Sequence, residues 1–293
     1  MKLSIIIVSY NTKELLRRCL ESVIRCLVRG DSEEKKFTIT KPLLPNTQII
    51  VVDNGSTDGS IQLIKNEKEL FLRNVKIKNY NLKLKIIENK KNLGFAKAVN
   101  QALREAKGEV VLLLNSDTQI KPEALEKLLE FEKKVRPAII GAKLLNPDGS
   151  IQASVFNLPT MNRAVGEFWL GKKNAFSKYA PLGDKPVTVE AVVGGAMLIS
   201  RKIVDKIGFF DERYFMYFED LDYCRRARKA GFKVWYLPSA QITHEHGASG
   251  KEISSLTQRW LVQSSKIYHG LFKHYLISFI LWSGQKCKFT KIG

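Results

Sequence analysis

The stretch Val110–Thr118, V-V-L-L-L-N-S-D-T, limits what this chain can fold into more than any other. Five consecutive apolar residues, two of them β-branched, leave no polar face. Such a run is a strand covered on both sides, as in a parallel sheet flanked by helices. It ends abruptly in Asn115, Ser116 and Asp117, small polar residues where a buried strand has to surface. Ligands of open α/β sheets collect beyond the carboxyl ends of the strands. Asp117 is therefore placed to offer carboxylate oxygens to a hard divalent cation. The same residues also read as ordinary turn chemistry before a helix starting near Pro122. The run alone leaves both readings open.

Its surroundings repeat the pattern. Leu3–Val8 is another apolar run, with Ser9-Tyr10-Asn11-Thr12 as its polar exit. A helix is expected from about Thr12, with Leu15, Leu16, Cys19, Leu20, Val23 and Leu27 on one face and Gly30 as its stop. Gln48–Val52 is the next buried strand, ending in D-N-G-S-T-D-G from Asp53 to Gly59 and followed by a helix through Leu70. Lys83–Glu88 leads to Asn92-Leu93-Gly94-Phe95 and a helix over Ala96–Ala106, closed by Gly108. The polar segments Asp31–Asn46 and Asn74–Lys85 read as surface insertions. Strands and helices alternating through short connections predict a mostly parallel, doubly wound α/β sheet. The strand ends at Asp53, Asn92 and Asp117 then share one rim. A dinucleotide-binding fold would need G-x-G-x-x-G after the first strand, where S-Y-N-T stands, and a Walker loop is also missing.

The second half changes character. Ala138–Leu145, Asn146-Pro147-Asp148-Gly149 and Ser150–Val155 predict a hairpin, and Asn157–Lys185 a long loop. Val187–Val193 and Ala196–Ser200 read as strands around the Gly194-Gly195 pair. With no linker between the halves, one domain is expected. Glu219, Asp220 and Asp222 open a helix that ends in Arg225, Arg226, Arg228 and Lys229. Acids first and bases last is what the helix dipole favours. Yet Phe215-Met216-Tyr217-Phe218 immediately before would desolvate a carboxylate and make it more basic, as a general base requires. After the strand Val234–Leu237 comes His244-Glu245-His246. With a distant strand-end aspartate it makes a mixed Asp/His site for Mg²⁺ or Mn²⁺ plausible, zinc wanting more nitrogen or sulfur.

A net charge of +19 points to an anionic partner or to lysine-rich solvated faces. Nucleic acid is not expected, because no helix-turn-helix, zinc-finger or RNP-type motif is present. The four cysteines form no C-x-x-C pair, so neither a zinc site nor a disulfide framework is indicated, and a reducing cytosol fits. Leu3–Val8 is too short for a signal peptide, and no run reaches the ~20 apolar residues of a membrane span.

Together the motifs S-Y-N, V-V-D-N-G-S-T-D, N-L-G-F-A-K-A-V-N, L-L-L-N-S-D-T, G-G-A-M-L-I-S-R, F-D-E-R-Y-F-M-Y-F-E-D-L-D-Y-C and H-E-H-G-A-S resemble glycosyltransferase family 2, most closely its rhamnosyltransferase-like branch. The resemblance covers about residues 3 to 250, in the family's order. It implies a GT-A fold and inverting transfer of a sugar from a nucleoside diphosphate. It also implies that Ser9, Tyr10, Asn11, Asp53 and Asn92 line the nucleotide pocket, with Asn115 and Ser116 at the D-x-D position. Asp117 and His244 would hold Mg²⁺ or Mn²⁺, and Asp220 would be the catalytic base. Gly194, Gly195 and Glu219 would meet the donor or acceptor sugar. Asn115 departs from the pattern, since many members carry Asp there and an amide brings no charge.

The implied donor is a dTDP- or UDP-sugar, rhamnose or another hexose, and the acceptor a cell-surface glycan or lipid-linked glycan. The alternative is a non-catalytic nucleotide-sugar or glycan-binding subunit with the same fold. Residues 251–293 lie beyond the resemblance and carry seven Lys/Arg against one acid, interleaved with aromatics. They predict a basic amphipathic helical tail. It would either contact an anionic membrane surface from the cytoplasmic side or pack on the catalytic domain, residues 1–250.

Overall fold

The computed structural model describes residues 2–29, 41–42, 46–66, 82–245 and 254–289. Its main sheet runs in the order Val187–Val189, Lys233–His244, Ala138–Leu145, Ala196–Ser200, Val110–Asn115, Leu3–Ser9, Thr47–Asp53, Lys83–Glu88. Leu3–Ser9 lies parallel between Thr47–Asp53 and Val110–Asn115, in a register that sets Ser9 opposite Asp53 and Val8 opposite Asn115. Ala196–Ser200 and Val187–Val189 run against their neighbours, as do the short strands Thr118–Ile120 and Ile151–Gln152 at the sheet's margins. The mostly parallel α/β sheet expected from the opening run is therefore present.

The V-V-L-L-L run is buried on both faces because its side chains alternate between two cores. Val110, Leu112 and Leu114 meet Leu16, Leu20 and Val23 of the helix Lys13–Leu27 and Leu125 and Leu128 of Ala124–Val135. Val111 and Leu113 point the other way, toward Val99 and Leu103 of Phe95–Glu105 and Cys224 and Ala227 of Glu219–Lys229. Continuous apolarity is the sequence signature of a strand buried on two sides.

The second half departs from the sequence reading in four places. The hairpin after Leu145 is short, pairing only Leu144 with Gln152 and Leu145 with Ile151. Val155–Phe156 then leaves to pair with Ala191–Val192 in a separate two-stranded sheet. Residues 157–185 are not all loop, since Met161–Phe168 is a helix capped by Thr160, whose side chain accepts from the Arg163 N–H. It is too short to show a period, and it buries Ala164 against Ile277 and Ile280 of the last helix. Val187–Val193 splits at Glu190, which turns to form an ion pair with Arg163 at 2.5 Å. Finally, Lys233–His244 is a single strand of twelve residues with a register shift between Leu237 and Gln241, so His244 is a strand end.

The tail is two helices, Ser254–His269 and Leu271–Phe289, broken at Gly270. Trp260 stacks on Phe215 with centroids 4.7 Å apart, Ser264 donates to the Met216 carbonyl, and Trp169 donates to the Ile280 carbonyl. Leu271, Phe272, Tyr275, Phe279 and Trp282 remain exposed. No helix among the described residues is long and apolar enough to cross a membrane. Gly30, most of Asp31–Asn46, residues 67–81 and His246 lie outside the described residues.

Candidate active site

The strand ends named from the sequence are joined by short polar links. The Thr12 hydroxyl lies 3.0 Å from that of Ser9 and 2.7 Å from that of Ser116, a buried chain tying the first strand's exit to the Val110–Asn115 strand's exit. Asn11, at a φ of 49°, donates from its N–H to Ser56 and accepts from the Thr57 N–H. Asp53 accepts from the Ser56 N–H through Oδ2, while its Oδ1 is buried without a hydrogen-bond partner. An orphaned buried carboxylate oxygen of this kind is costly unless a ligand completes it. Asn92 directs its carboxamide oxygen to the Asn54 side chain and the Gly94 N–H, so it shapes its own loop.

That loop admits no side chain at Gly94, whose φ is +87° and whose added Cβ would stand 2.6 Å from the Phe215 carbonyl oxygen. Gly94→Ala should therefore cost about 1–3 kcal/mol from this positive-φ, extended backbone alone, and more from the clash. A lowered urea midpoint with an unchanged slope is the measurement.

At the next strand ends, His244 pairs with Thr118 and the Glu245 N–H donates to the Asp117 carbonyl. This brings Nε2 of His244 to 3.3 Å from Oδ1 of Asp117, without hydrogen-bond geometry. Asn115 Nδ2 lies 3.4 Å from the same Nε2. The other ring nitrogen, Nδ1, donates to Gln152 Oε1 at 2.6 Å, and Gln152 is itself held by Asn146. With Nδ1 donating, Nε2 is the ring nitrogen turned toward the Asp117 carboxylate. A carboxylate beside an imidazole is a donor pair that suits Mg²⁺ or Mn²⁺ and leaves room for phosphate oxygens. The residues present fit such an ion. Glu245 is not part of the set, because it turns to Arg18 at 2.8 Å.

Gln152 is the residue sequence reasoning missed; nothing in its local pattern marks it, since its role arises from the short hairpin. Gln152→Leu should weaken metal affinity about 10–100-fold, the usual effect of losing the group that orients a ligating histidine. Mn²⁺ titration monitored by thermal stability would measure it.

The third component is the start of the Glu219–Lys229 helix. Tyr217 and Phe218 both have left-handed backbones, with φ of 70° and 66°. Side-chain-bearing residues hold such angles only under constraint, and strain of this kind gathers at functional sites. The turn separates the three acids. The buried Asp222 goes to the part-exposed Arg225 and Arg226 in ion pairs of 2.6 and 2.8 Å. Asp220 accepts from the Gly194 N–H at 3.0 Å and the Leu221 N–H at 2.8 Å. Glu219 has one carboxyl oxygen buried without a partner.

Burial raises the pKa of Asp220, while the Gly194 and Leu221 N–H groups and Lys178 hold it back. Burial, then the charge of Asp220, pushes Glu219 well above the ordinary carboxylate range. Of the pair, Glu219 is pushed up the harder, and only Asp220 has N–H donors from neighbouring residues that favour its charged form.

A cavity of about 520 Å³ connects these components. Asn115 and His244 line one side, Glu219 and Asp220 another, and Gly194-Gly195 the wall between. Ser9, Tyr10, Asn11, Asp53, Asn92 and Ser116 stand outside that wall, on the adjoining strand ends. A methyl on Gly195 would meet Asn115 and His244 at ordinary contact distances of 3.5 and 3.6 Å. Protein packing therefore does not demand glycine there.

The Glycosyl transferase family 2 profile matches residues 4–208, most of the sheet and its strand-end loops. The chain belongs to glycosyl transferase family 2. It is 29% identical over 221 residues to the N-acetylglucosaminyl-diphospho-decaprenol L-rhamnosyltransferase of Mycobacterium tuberculosis, covering 69% of this chain and 67% of that one. It is 27% identical over 173 residues to the rhamnosyltransferase WbbL of Escherichia coli, covering 58% of this chain and 65% of WbbL. The fold is similar to the mannosyltransferase PcManGT of Pyrobaculum calidifontis in complex with GDP-Man and Mn²⁺. That match has a TM-score of 0.60 and 16% identity over 97% of this chain and 73% of that one. This family 2 chain thus has the GT-A fold and the rhamnosyltransferase-like character that its motifs implied.

Proposed function

We propose that the chain is an inverting glycosyltransferase, taking a sugar from a dTDP- or UDP-sugar and giving it to a hydroxyl of a cell-surface or lipid-linked glycan. The observation that carries this reading is the cavity lined by Asp220 on one side and by Asn115 and His244 on the other, with Asp117 3.3 Å from the His244 imidazole. In a single displacement the acceptor hydroxyl loses its proton to a base on the face opposite the leaving group. Asp220, held by two N–H donors, is that base. Gly194-Gly195 leave the donor sugar room between base and diphosphate, and Glu219 meets a sugar hydroxyl. Asp53 supplies its unpartnered oxygen to the nucleoside, and Ser9, Tyr10, Asn11, Asn92 and Ser116 shape the pocket around it. Asp117 and His244 would hold Mg²⁺ or Mn²⁺, which would offset charge on the departing diphosphate. One flanking carboxylate is enough for direct transfer, whereas a glycoside hydrolase uses two. The M. tuberculosis relative's name, with L-rhamnose and a diphospho-decaprenol acceptor, supports rhamnose and a lipid carrier here.

Thermal stabilisation by dTDP, UDP, GDP and CMP, each with Mn²⁺ and with EDTA, tests the reading. One nucleotide should raise the melting temperature strongly and lose most of that effect in EDTA. No shift with any of the four would overturn it.

A further inference from the structure

The helix Ser254–His269 starts beyond the motifs and the family profile, yet it walls the cavity that holds Asp220. Thr257, Gln258 and Leu261 line that space with Met216 and Tyr217. The same helix grips the turn that leads into Glu219–Lys229. Trp260, Ser264 and Tyr268 recur at every fourth position and so share one helix face. Each meets a successive part of the turn. The Trp260 ring stacks on Phe215 with centroids 4.7 Å apart, and the buried Ser264 hydroxyl donates to the Met216 carbonyl at 2.7 Å. The Tyr268 ring stands 5.2 Å from that of Phe218 and under the Arg225 guanidinium at 4.0 Å.

The sheet holds the other side of the turn at Phe215. Its carbonyl accepts from the Phe95 N–H at 2.7 Å, in the space left by the side chain that Gly94 lacks. Between the two grips stand Tyr217 and Phe218 with their left-handed backbones, a conformation that persists only where the surroundings over-determine it. The Phe218 carbonyl accepts from the Asp222 N–H at 2.8 Å and so starts the helix. Asp220 lies two residues past Phe218. Its carboxylate reaches the Gly194 N–H at 3.0 Å, between the strands Ala191–Val192 and Ala196–Ser200. Where the turn sits therefore decides whether that reach is made.

We propose that Trp260 and Ser264 are positioning residues for the reaction: they lock the Phe215–Phe218 turn and so aim the Asp220 carboxylate at its place in the cavity. The proposal rests on the transferase reading for what that placement serves. Neither side chain lines the cavity, so each acts through the turn. A displacement of about 1 Å at a reacting group costs about 10²-fold in rate, which sets the size of the expected effect. The tail, lying outside the family's motifs, thus completes the site those motifs build.

The test is made in the full chain. Gly194 and Leu221 donate to Asp220, so hydrogen exchange at their amides, followed by NMR, reports its placement without any substrate. The double variant Trp260→Leu/Ser264→Ala should quicken both, while the amides of Val110–Asn115 keep the parent rates. Trp260→Phe keeps a ring on Phe215 and should exchange as the parent does. Release of dTDP from dTDP-rhamnose, or of UDP from UDP-glucose, should fall about 10²-fold in the double variant. Trp260→Phe should recover most of it, and nucleotide stabilisation of the fold should match the parent's throughout. Unchanged exchange at Gly194, or undiminished turnover in the double variant, would overturn the proposal. If the double variant does not fold, Ser264→Ala decides alone: it removes a single hydrogen bond, and Gly194 exchange must still quicken. A parent with neither turnover nor nucleotide response would sink the transferase reading instead. The exchange rates would still report the lock, so the two failures are distinguishable.

Discussion

Replacing Asp220 with Asn is expected to lower kcat by about 10²–10⁴-fold, the usual contribution of a positioned general base, while nucleotide binding stays nearly unchanged. The expectation follows from how Asp220 is held. The Gly194 and Leu221 N–H groups aim its carboxylate into the cavity, and an amide keeps the shape but has no basicity. Because burial raises the Asp220 pKa, the rate should climb with pH through a limb above the ordinary aspartate range. A limb at the ordinary value, or a fully active Asn variant, would remove Asp220 from the role. Glu219 supplies the contrast. Its folded-state pKa lies well above its unfolded value, so its stabilising contribution is present in acid and lost as the pH rises through the folded value. Glu219→Gln should melt with the parent at low pH and at a higher temperature near neutrality. Such a pattern would mark Glu219 as a carboxyl kept in the site at a cost in stability.

The first half of the fold was legible because buried parallel strands are written without alternation. Leu3–Ser9, Thr47–Asp53 and Val110–Asn115 each end in polar residues where the sheet stops, and the observed register puts those ends side by side. The helix opening at Glu219 was equally clear from its charge order. What the pattern did not contain was pairing across long separations. His244 reads as a residue after a strand until Lys233–His244 is seen as one bulged strand beside Thr118–Ile120. Gln152 becomes visible only when the hairpin sets it against His244. The helix Met161–Phe168 was hidden for another reason, because its stability comes from the tail it packs on rather than from its own residues. The tail's pattern predicts basic amphipathic helix, meeting a membrane or packing on the domain, and its two helices follow from the break at Gly270. It packs with one side and leaves the aromatics of the other exposed, so those two readings do not compete.

Replacing Asp117 with Asn should remove the metal-dependent part of nucleotide binding. At a hundred times its dissociation constant a ligand stabilises the fold by about 2.7 kcal/mol, and a hundredfold loss of affinity leaves about 0.4. An effect of that size is expected because the set is so small. Among the described residues no group of three His, Cys, Asp or Glu side chains is placed to hold a metal, and the carboxylate closest to the His244 imidazole is that of Asp117 at 3.3 Å. Asn115, 3.4 Å from the imidazole, brings no charge where a second carboxylate could stand. Asn115→Asp should therefore act in the opposite direction, lowering the Mn²⁺ concentration at which the nucleotide response is half complete. Melting temperatures at fixed nucleotide across a Mn²⁺ series would read both variants. If neither variant moves the Mn²⁺ dependence, the facing of carboxylate and imidazole at His244 is not a metal site. Neutralising the leaving diphosphate would then fall to the chain's own cations, with Lys178 on the cavity wall a candidate.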